Sequence, residues 1–381
     1  MRICFDYSAA LQQGAGIGRY SRELLPRLRA LLGDERLALF ANAGQRGAPP
    51  LALAALRWHR SPLANKPWRV RVAADYLLRT TQDRQFPDVA LFFAADHLLP
   101  RFGEIASIIN IHDLSFLTHP QYHSRASRVF QRLLMPHFAR HATHITTPSE
   151  ATRRDIQRFY GIAADAITVI PEGVDAQFRQ PPTPDAIAAL RAQFALPRPF
   201  VLYVGTLEPR KNVANLATAF AALITDPAVP PVDLVLAGGL GWLYEPTLRH
   251  IEALGLGDRV RRIGYVADAD LPALYAAASV FVFPSWYEGF GLPPLEALAC
   301  GTPVIASNAA SLPEVIGDAG LLVAPGDTAA LTAALRRLLT DATLAAQFRA
   351  HGPAHAAAFT WERTAAQTLA LIEATVTRSR A

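Results

Sequence analysis

Short apolar, β-branched runs alternate with stretches of helical periodicity along the whole chain. That alternation predicts parallel α/β construction. In the first half the runs predict strands at Ile3–Asp6, Leu37–Phe40, Val89–Phe93, Ser107–Ile111, His144–Thr147 and Ile167–Ile170, with helices such as Gly18–Leu32 and Ser124–His141 between them. Residues 175–185 carry three prolines and read as a linker. A second series then predicts strands at Phe200–Gly205, Val232–Ala237, Val260–Ile263, Val280–Pro284, Val304–Ser307 and Gly320–Val323, with helices near Val213–Ile224, Leu271–Ala278 and Pro294–Cys300. The expected architecture is α/β: two Rossmann-like parallel-sheet domains, 1–178 and 179–360, facing across a cleft, with a closing helix in 361–381 packing back on the first. Ligands of such sheets lie beyond the carboxyl ends of the strands.

A length of 381 residues favours two domains over one core. With 51% hydrophobic and 18% charged residues, disorder is excluded as the main state. The chain opens directly on a strand pattern, which leaves no room for a signal peptide, and lacks an apolar window long enough to span a bilayer. Cys4 and Cys300 lie far apart in apolar settings, as packing residues of a reduced compartment do. The expected location is therefore cytoplasmic. The net charge of +5 is unevenly spread: residues 1–180 hold 23 Lys+Arg against 15 Asp+Glu, or +8, and the remainder 14 against 17, or −3. In 56–71, Trp58 and Trp68 interleave with arginines, which reads either as a patch for anionic lipid at the inner face of the plasma membrane or as a solvated helix face. No nucleic-acid partner is expected.

The chemistry concentrates at predicted strand ends. In 287–301, Glu288 and Glu296 flank a glycine turn that leads into a helix start. Helix N-terminal N–H groups attract phosphate and the carboxylates can grip sugar hydroxyls, so a sugar nucleotide is the expected ligand. Arg210-Lys211 follows the first strand of the second domain, and Lys211 is one of only two lysines among 37 basic residues. The pair either neutralises a diphosphate or is a solvated pair beside a helix cap. Gly14, Gly16 and Gly18 after the first strand form either an anion loop or a ligand-free turn. The spacing is too long for a dinucleotide fingerprint, which disfavours a nicotinamide dehydrogenase. His112-Asp113 ends another strand and serves either proton transfer or turn closure. Asp268 and Asp270 are expected to cap the following helix rather than bind metal, and no histidine cluster has zinc spacing. A metal-independent reaction with no cofactor beyond its cosubstrate is expected.

Together these segments resemble glycosyltransferase family 4, retaining enzymes of the two-Rossmann GT-B architecture. The likeness rests on residues 16–20, 171–175, 205–212 and 283–307, and spans most of the chain. It implies that Glu288 holds donor-sugar hydroxyls, Glu296 the ribose, and Arg210 with Lys211 the diphosphate. It further implies that Gly289, Phe290, Gly291 and Leu292 meet phosphate and sugar, that Gly16, with Gly18 beside it, covers the diphosphate, and that Ile263, Tyr265 and Val266 lie near the base. His112, with Asp113 beside it, is implied to approach the reacting sugar. Many members carry arginine where this chain has Thr206, which shifts the diphosphate's dependence toward Arg210 and Lys211.

Within that family the tracts 111–120 and 205–212 look most like bacterial mannosyl- and rhamnosyltransferases of surface polysaccharides. The implied reaction moves a hexose, expected to be mannose from GDP-mannose, to a saccharide or lipid-linked saccharide in α-linkage. The alternatives are a UDP- or dTDP-sugar donor, or a non-catalytic sugar-nucleotide-binding subunit.

Overall fold

The computed structural model describes residues 2–14, 16–42 and 50–380. Ala15 of the glycine loop and Ala381 of the expected closing helix lie outside them. The chain forms two compact units: Met1–Leu117 with Arg125–Gly173 and Trp361–Ala381, and Thr118–Ser124 with Val174–Thr360.

Among the described residues, the first unit is built on seven strands: β1 (Arg2–Asp6), β2 (Leu37–Ala41), β3 (Arg57–Arg60), β4 (Val89–Ala94), β5 (Ala106–Asn110), β6 (His144–Thr147) and β7 (Ile167–Val169). Their order is β3-β2-β1-β4-β5-β6-β7, with every pairing parallel. Strands β2 and β5 are buried at every position because helices cover both faces of the sheet. Among those helices are α1 (Ile17–Leu32), α2 (Asn65–Leu78) and α3 (Arg125–His141).

Strand β3 has no counterpart among the expected elements. Its sequence, Arg-Trp-His-Arg, lacks an apolar run, and it forms as an edge strand where both arginines stay exposed while His59 turns inward. The tryptophans expected on an interfacial patch are not one. Trp68 is buried against Phe40, with ring centroids 5.1 Å apart, and Trp58 is half-buried with Nε1 donating to the Leu53 carbonyl at 3.1 Å.

The second unit carries β8 (Phe200–Val204), β9 (Asp233–Ala237), β10 (Val260–Gly264), β11 (Val280–Phe283), β12 (Val304–Ser307) and β13 (Leu321–Val323). They are all parallel, in the order β10-β9-β8-β11-β12-β13. Its helices include α4 (Val213–Leu223), α5 (Leu271–Ala277) and α6 (Leu292–Ala299). Each sheet reverses its winding once, between β1 and β4 and between β8 and β11, and such switch points open a crevice at the strand ends.

Two expectations about connections change. Residues 175–185 are structured: Phe178 buries beside Tyr275, and the Thr183 hydroxyl accepts from the Ala186 amide at 3.2 Å to cap a helix over Pro184–Gln193. The passage between units therefore falls at Gly173/Val174. Asp270 occupies the N-cap position of α5 without a side-chain cap hydrogen bond.

The terminal helix Trp361–Arg380 belongs to the first unit and packs along α1. Arg27 pairs with Glu362 at 2.8 Å, and Thr364 donates to the Pro171 carbonyl at 2.7 Å. No helix among the described residues is long and apolar enough to cross a membrane.

Candidate functional site

In the second unit, the segment after β8 and the segment after β11 meet at the switch point. Lys211 Nζ lies 2.7 Å from Glu288 Oε1, and Arg210 Nη1 lies 3.0 Å from Glu288 Oε2. Arg210 also reaches Glu208 at 2.7 Å and donates to the Tyr287 carbonyl at 2.6 Å. Burial alone would raise the Glu288 pKa, yet the charges of Arg210 and Lys211 and the hydrogen bond from Lys211 outweigh it and hold the carboxyl at about 2. Glu288 is thus an anion at any working pH, and two cations stand beside a helix start with their charges balanced internally.

The backbone that presents these groups is fixed by side chains. Asn212, in a left-handed conformation at φ 58°, donates from Nδ2 to the carbonyls of Pro284 at 3.1 Å and Pro325 at 2.6 Å. Ser311 donates to the carbonyls of Glu288 at 2.9 Å and Phe290 at 2.6 Å. Gly291 caps α6 at φ 124°, and a Cβ there would come within 2.7 Å of Leu312, so glycine is required at that point. Pro293 and Pro294 carry no N–H, so the amides of Gly291 and Leu292 are the anion-attracting groups that this helix N-terminus offers. Glu296 lies farther along α6, only 2% exposed, and accepts from the Tyr275 hydroxyl at 2.9 Å. That bond ties α6 to α5.

Beyond the carboxyl ends of β8, β9 and β10 lies a pocket of about 440 Å³, lined by Leu207, Gly238, Gly239, Leu240, Arg262 and Gly264. The residues expected near the base divide. Val266 is buried, Ile263 is partly buried against the core, and Tyr265 is exposed. Arg262, not among the expected residues, supplies the charge in the pocket lining. Thr206 contributes its carbonyl to the Tyr203 hydroxyl at 3.1 Å.

In the first unit, His112 sits just past β5. Its Nδ1 is 3.4 Å from Glu172 Oε1, and its Nε2 is 3.0 Å from the Ala95 carbonyl. Tyr20 of α1 packs edge-on at 4.9 Å. Burial opposes protonation, but the hydrogen bond and charge of Glu172 exceed that effect and raise the His112 pKa above its ordinary value. Glu172 favours a proton on Nδ1, while Nε2 stands 3.0 Å from both the Ala95 carbonyl, an acceptor, and the Asn110 side-chain nitrogen, a donor. Asp113 does something else: its Oδ1 accepts from the Ser115 amide at 2.8 Å and hydroxyl at 2.7 Å, the turn-closing alternative.

Nearby strand ends add Asp6 and Asp96. Burial lifts the Asp6 pKa to about 7 even though Ser8 donates to it and lowers it. Asp96 is partly buried, but the charge and hydrogen bonds of His97 hold its pKa well below the ordinary range. Gly16 caps α1 at φ 57° with open space on its Cβ side. Gly18 has a steric role of its own. A Cβ at 18 would overlap the Gln13 carbonyl, which Arg22 also holds at 2.7 Å.

Comparison with known proteins decides the lineage. The description "Glycosyltransferase Family 4" matches residues 14–178, and "Glycosyl transferases group 1" matches 188–355. O-antigen chain mannosyltransferase B of Escherichia coli is 34% identical over 97% of this chain and 98% of that protein. The chain belongs to glycosyltransferase family 4. A second Escherichia coli relative, serotype-specific mannosyltransferase WbdA, is 34% identical over 57% of this chain and 27% of its own length. Sucrose-phosphate synthase from Thermosynechococcus elongatus superposes with a TM-score of 0.80 at 24% identity, covering 99% of this chain and 100% of that one. That likeness establishes the GT-B fold.

In this family 4 enzyme, a glycosyltransferase that moves hexosyl groups, the sheet topology gathers Arg210, Lys211, Glu288 and the α6 N-terminus, and separately places His112 beside Glu172. Sequence reasoning quoted 171–175 without seeing that Glu172 is the histidine's partner. Glu208, Asn212 and Ser311 were also missed. A buried acid beside a strand-end histidine and an Asn before a helix are signals only once strand order is known. Among the described residues, His351 and His355, one helical turn apart, come together with Asp318 in a group of metal-ligand geometry, away from Asp268 and Asp270.

Proposed function

We propose that this glycosyltransferase transfers mannose from GDP-mannose, with retention and without a metal cofactor, to a saccharide or lipid-linked saccharide acceptor in α-linkage. The observation that carries the reading is the buried Lys211–Glu288 pair at the β8/β11 switch point beside the α6 N-terminus. An arriving diphosphate adds negative charge where Arg210 and Lys211 already stand, and Glu288 is then available to the donor-sugar hydroxyls. The anomeric C–O bond breaks with its electron pair going to the diphosphate, and the cations and helix dipole stabilise that charge. The acceptor oxygen bonds the same face of the sugar and gives its proton to the departing diphosphate oxygen. Glu208 and Glu288 are both held in ion pairs, which supports a route that needs neither as nucleophile. Glu296 takes the ribose role, and the pocket at Arg262 takes the base.

The Escherichia coli relatives, both mannosyltransferases by name, support mannose. Arg262 in the pocket lining supports guanine, because its planar paired donors match O6 and N7 of that base. The basic first unit is read as the acceptor side and as the part that meets an anionic membrane surface. The test is calorimetry with GDP, UDP and dTDP, combined with release of nucleoside diphosphate from the matching sugar donors and NMR of the product's anomeric centre. Tight UDP or dTDP binding without GDP binding overturns the donor, and an inverted product overturns retention. Loss of transfer in EDTA that is restored by a divalent ion overturns metal independence.

A further inference from the structure

Helix α2 is apolar on two opposite sides. At ~100° per residue, Trp68, Val72 and the paired Asp75 form one stripe, buried on the sheet, while Val70, Ala73 and Leu77 form a stripe on roughly the far side. A helix covering a sheet in a protein facing only water needs one such stripe. Helix α3 adds Val129 and Leu133, one turn apart. Val70, Leu77, Leu78, Val129 and Leu133 are between 53% and 81% exposed. Between the two helices runs an apolar groove of about 740 Å³, lined by Leu77, Val129, Phe130, Leu133 and their neighbours.

The charges on these helices are one-sided. They hold seven Lys and Arg against one acid, and that acid, Asp75, is buried and bonded to Arg71, Thr80 and Gln82. Arginines and a lysine around exposed leucines and valines complement a surface with anionic headgroups over an acyl layer. The groove is also continuous with the strand-end groups of the first unit. Arg69 stacks over Phe130 at 5.3 Å and reaches His97 Nε2 at 3.1 Å, and His97 in turn holds Asp96.

We infer that the α2/α3 face docks on an anionic lipid bilayer, with Leu77, Leu78, Val129 and Leu133 entering the headgroup boundary and the arginine rim meeting lipid phosphates. This rests on the membrane reading above and moves it from residues 56–71 to a different surface. The docked face sets Asp96 and, beyond it, His112 close to the bilayer, where the saccharide of a lipid-linked acceptor emerges.

The experiment is flotation of the full chain with phosphatidylcholine vesicles with and without phosphatidylglycerol, at low and high salt. The chain should float with the anionic vesicles and be released by salt. L77S/L133S and R125E/R132E should each weaken partitioning at least about ten-fold, as roughly five-fold per lost arginine implies. The control L31S/L51S, which alters exposed leucines elsewhere in the same unit, should float like the unaltered chain. Transfer to a soluble oligosaccharide should be unchanged in every variant. Equal partitioning of groove and control variants overturns this face and leaves the membrane reading standing. If the unaltered chain does not float, both fall, although transfer is unaffected. Conversion of a dimer to a monomer by the groove substitutions, seen by sedimentation, assigns the face to a second copy and also overturns the inference.

Discussion

The two sheets reverse at the same topological point and place opposite chemistries there. At the ends of β8 and β11, two cations and two carboxylates neutralise one another in a buried network. Around the ends of β1, β4 and β5 the first unit gathers three acids, the buried Asp6 and Glu172 and the partly buried Asp96, with His112 and His97 among them. One fold thus supplies a crevice twice, and the side chains at the strand ends decide what each crevice can hold. The cationic set suits a diphosphate. The acidic set suits hydroxyl groups, and its protonation varies near neutral pH because Asp6 titrates at about 7.

Glu288→Ala breaks the comparison most severely if it has little effect. It strands Arg210 and Lys211 without their shared anion, so transfer should fall by ~10²–10³-fold and stability by ~3–5 kcal/mol, read from kcat/KM and thermal unfolding. Glu288→Gln should recover stability before it recovers transfer. Since the folded pKa is about 2, below the ordinary 4.5, the charge of Glu288 stabilises the fold above that ordinary value, and this contribution disappears only as pH falls through about 2.

Asp6 has the opposite sign. Its pKa is raised from 3.8 to about 7, so its contribution is fully present below 3.8 and is lost as pH rises through about 7. Asp6→Asn should flatten that decline and gain on the order of 2 kcal/mol at pH 8. Denaturant midpoints across the pH range measure it, and an unchanged slope removes the titrating acid from the contrast.

Glu172→Gln leaves His112 in place but takes away its anion. The His112 pKa should drop, the alkaline limb of the rate profile should move to lower pH, and kcat should fall by about ten-fold. Proton NMR of the ring distinguishes this positioning effect from a packing defect, which would leave the titration where it was. The smallest change expected is for Arg262→Ala: about five-fold weaker GDP binding with UDP binding unaffected. Equal losses for both nucleotides would make Arg262 a general phosphate contact.

Much of this was legible in order along the chain. The strand runs and the Glu288/Glu296 and Arg210-Lys211 motifs are local patterns, because strand-end loops are short and their residues stay together. Strand β3 was not legible, since an edge strand with three polar side chains has no apolar run to announce it. The expected interfacial tryptophans failed for a related reason: an indole in an arginine-rich segment looks the same in sequence whether its helix turns it outward or, as with Trp68, inward. Gly18 was read as a ligand contact because the reason for that glycine, the nearby Gln13 carbonyl, is a tertiary one.

By itself the sequence determined the alternation of elements, the two-sheet architecture and which short segments end on chemistry, because hydrophobic periodicity and turn residues act over a few neighbouring positions. Only the tertiary structure decided that Lys211 and Glu288, 77 positions apart, share a hydrogen bond, that Glu172 pairs with His112, and that α2 keeps a second apolar side uncovered. Those outcomes depend on strand order and on which face of each helix the sheet buries, and both are fixed by packing between distant parts of the chain.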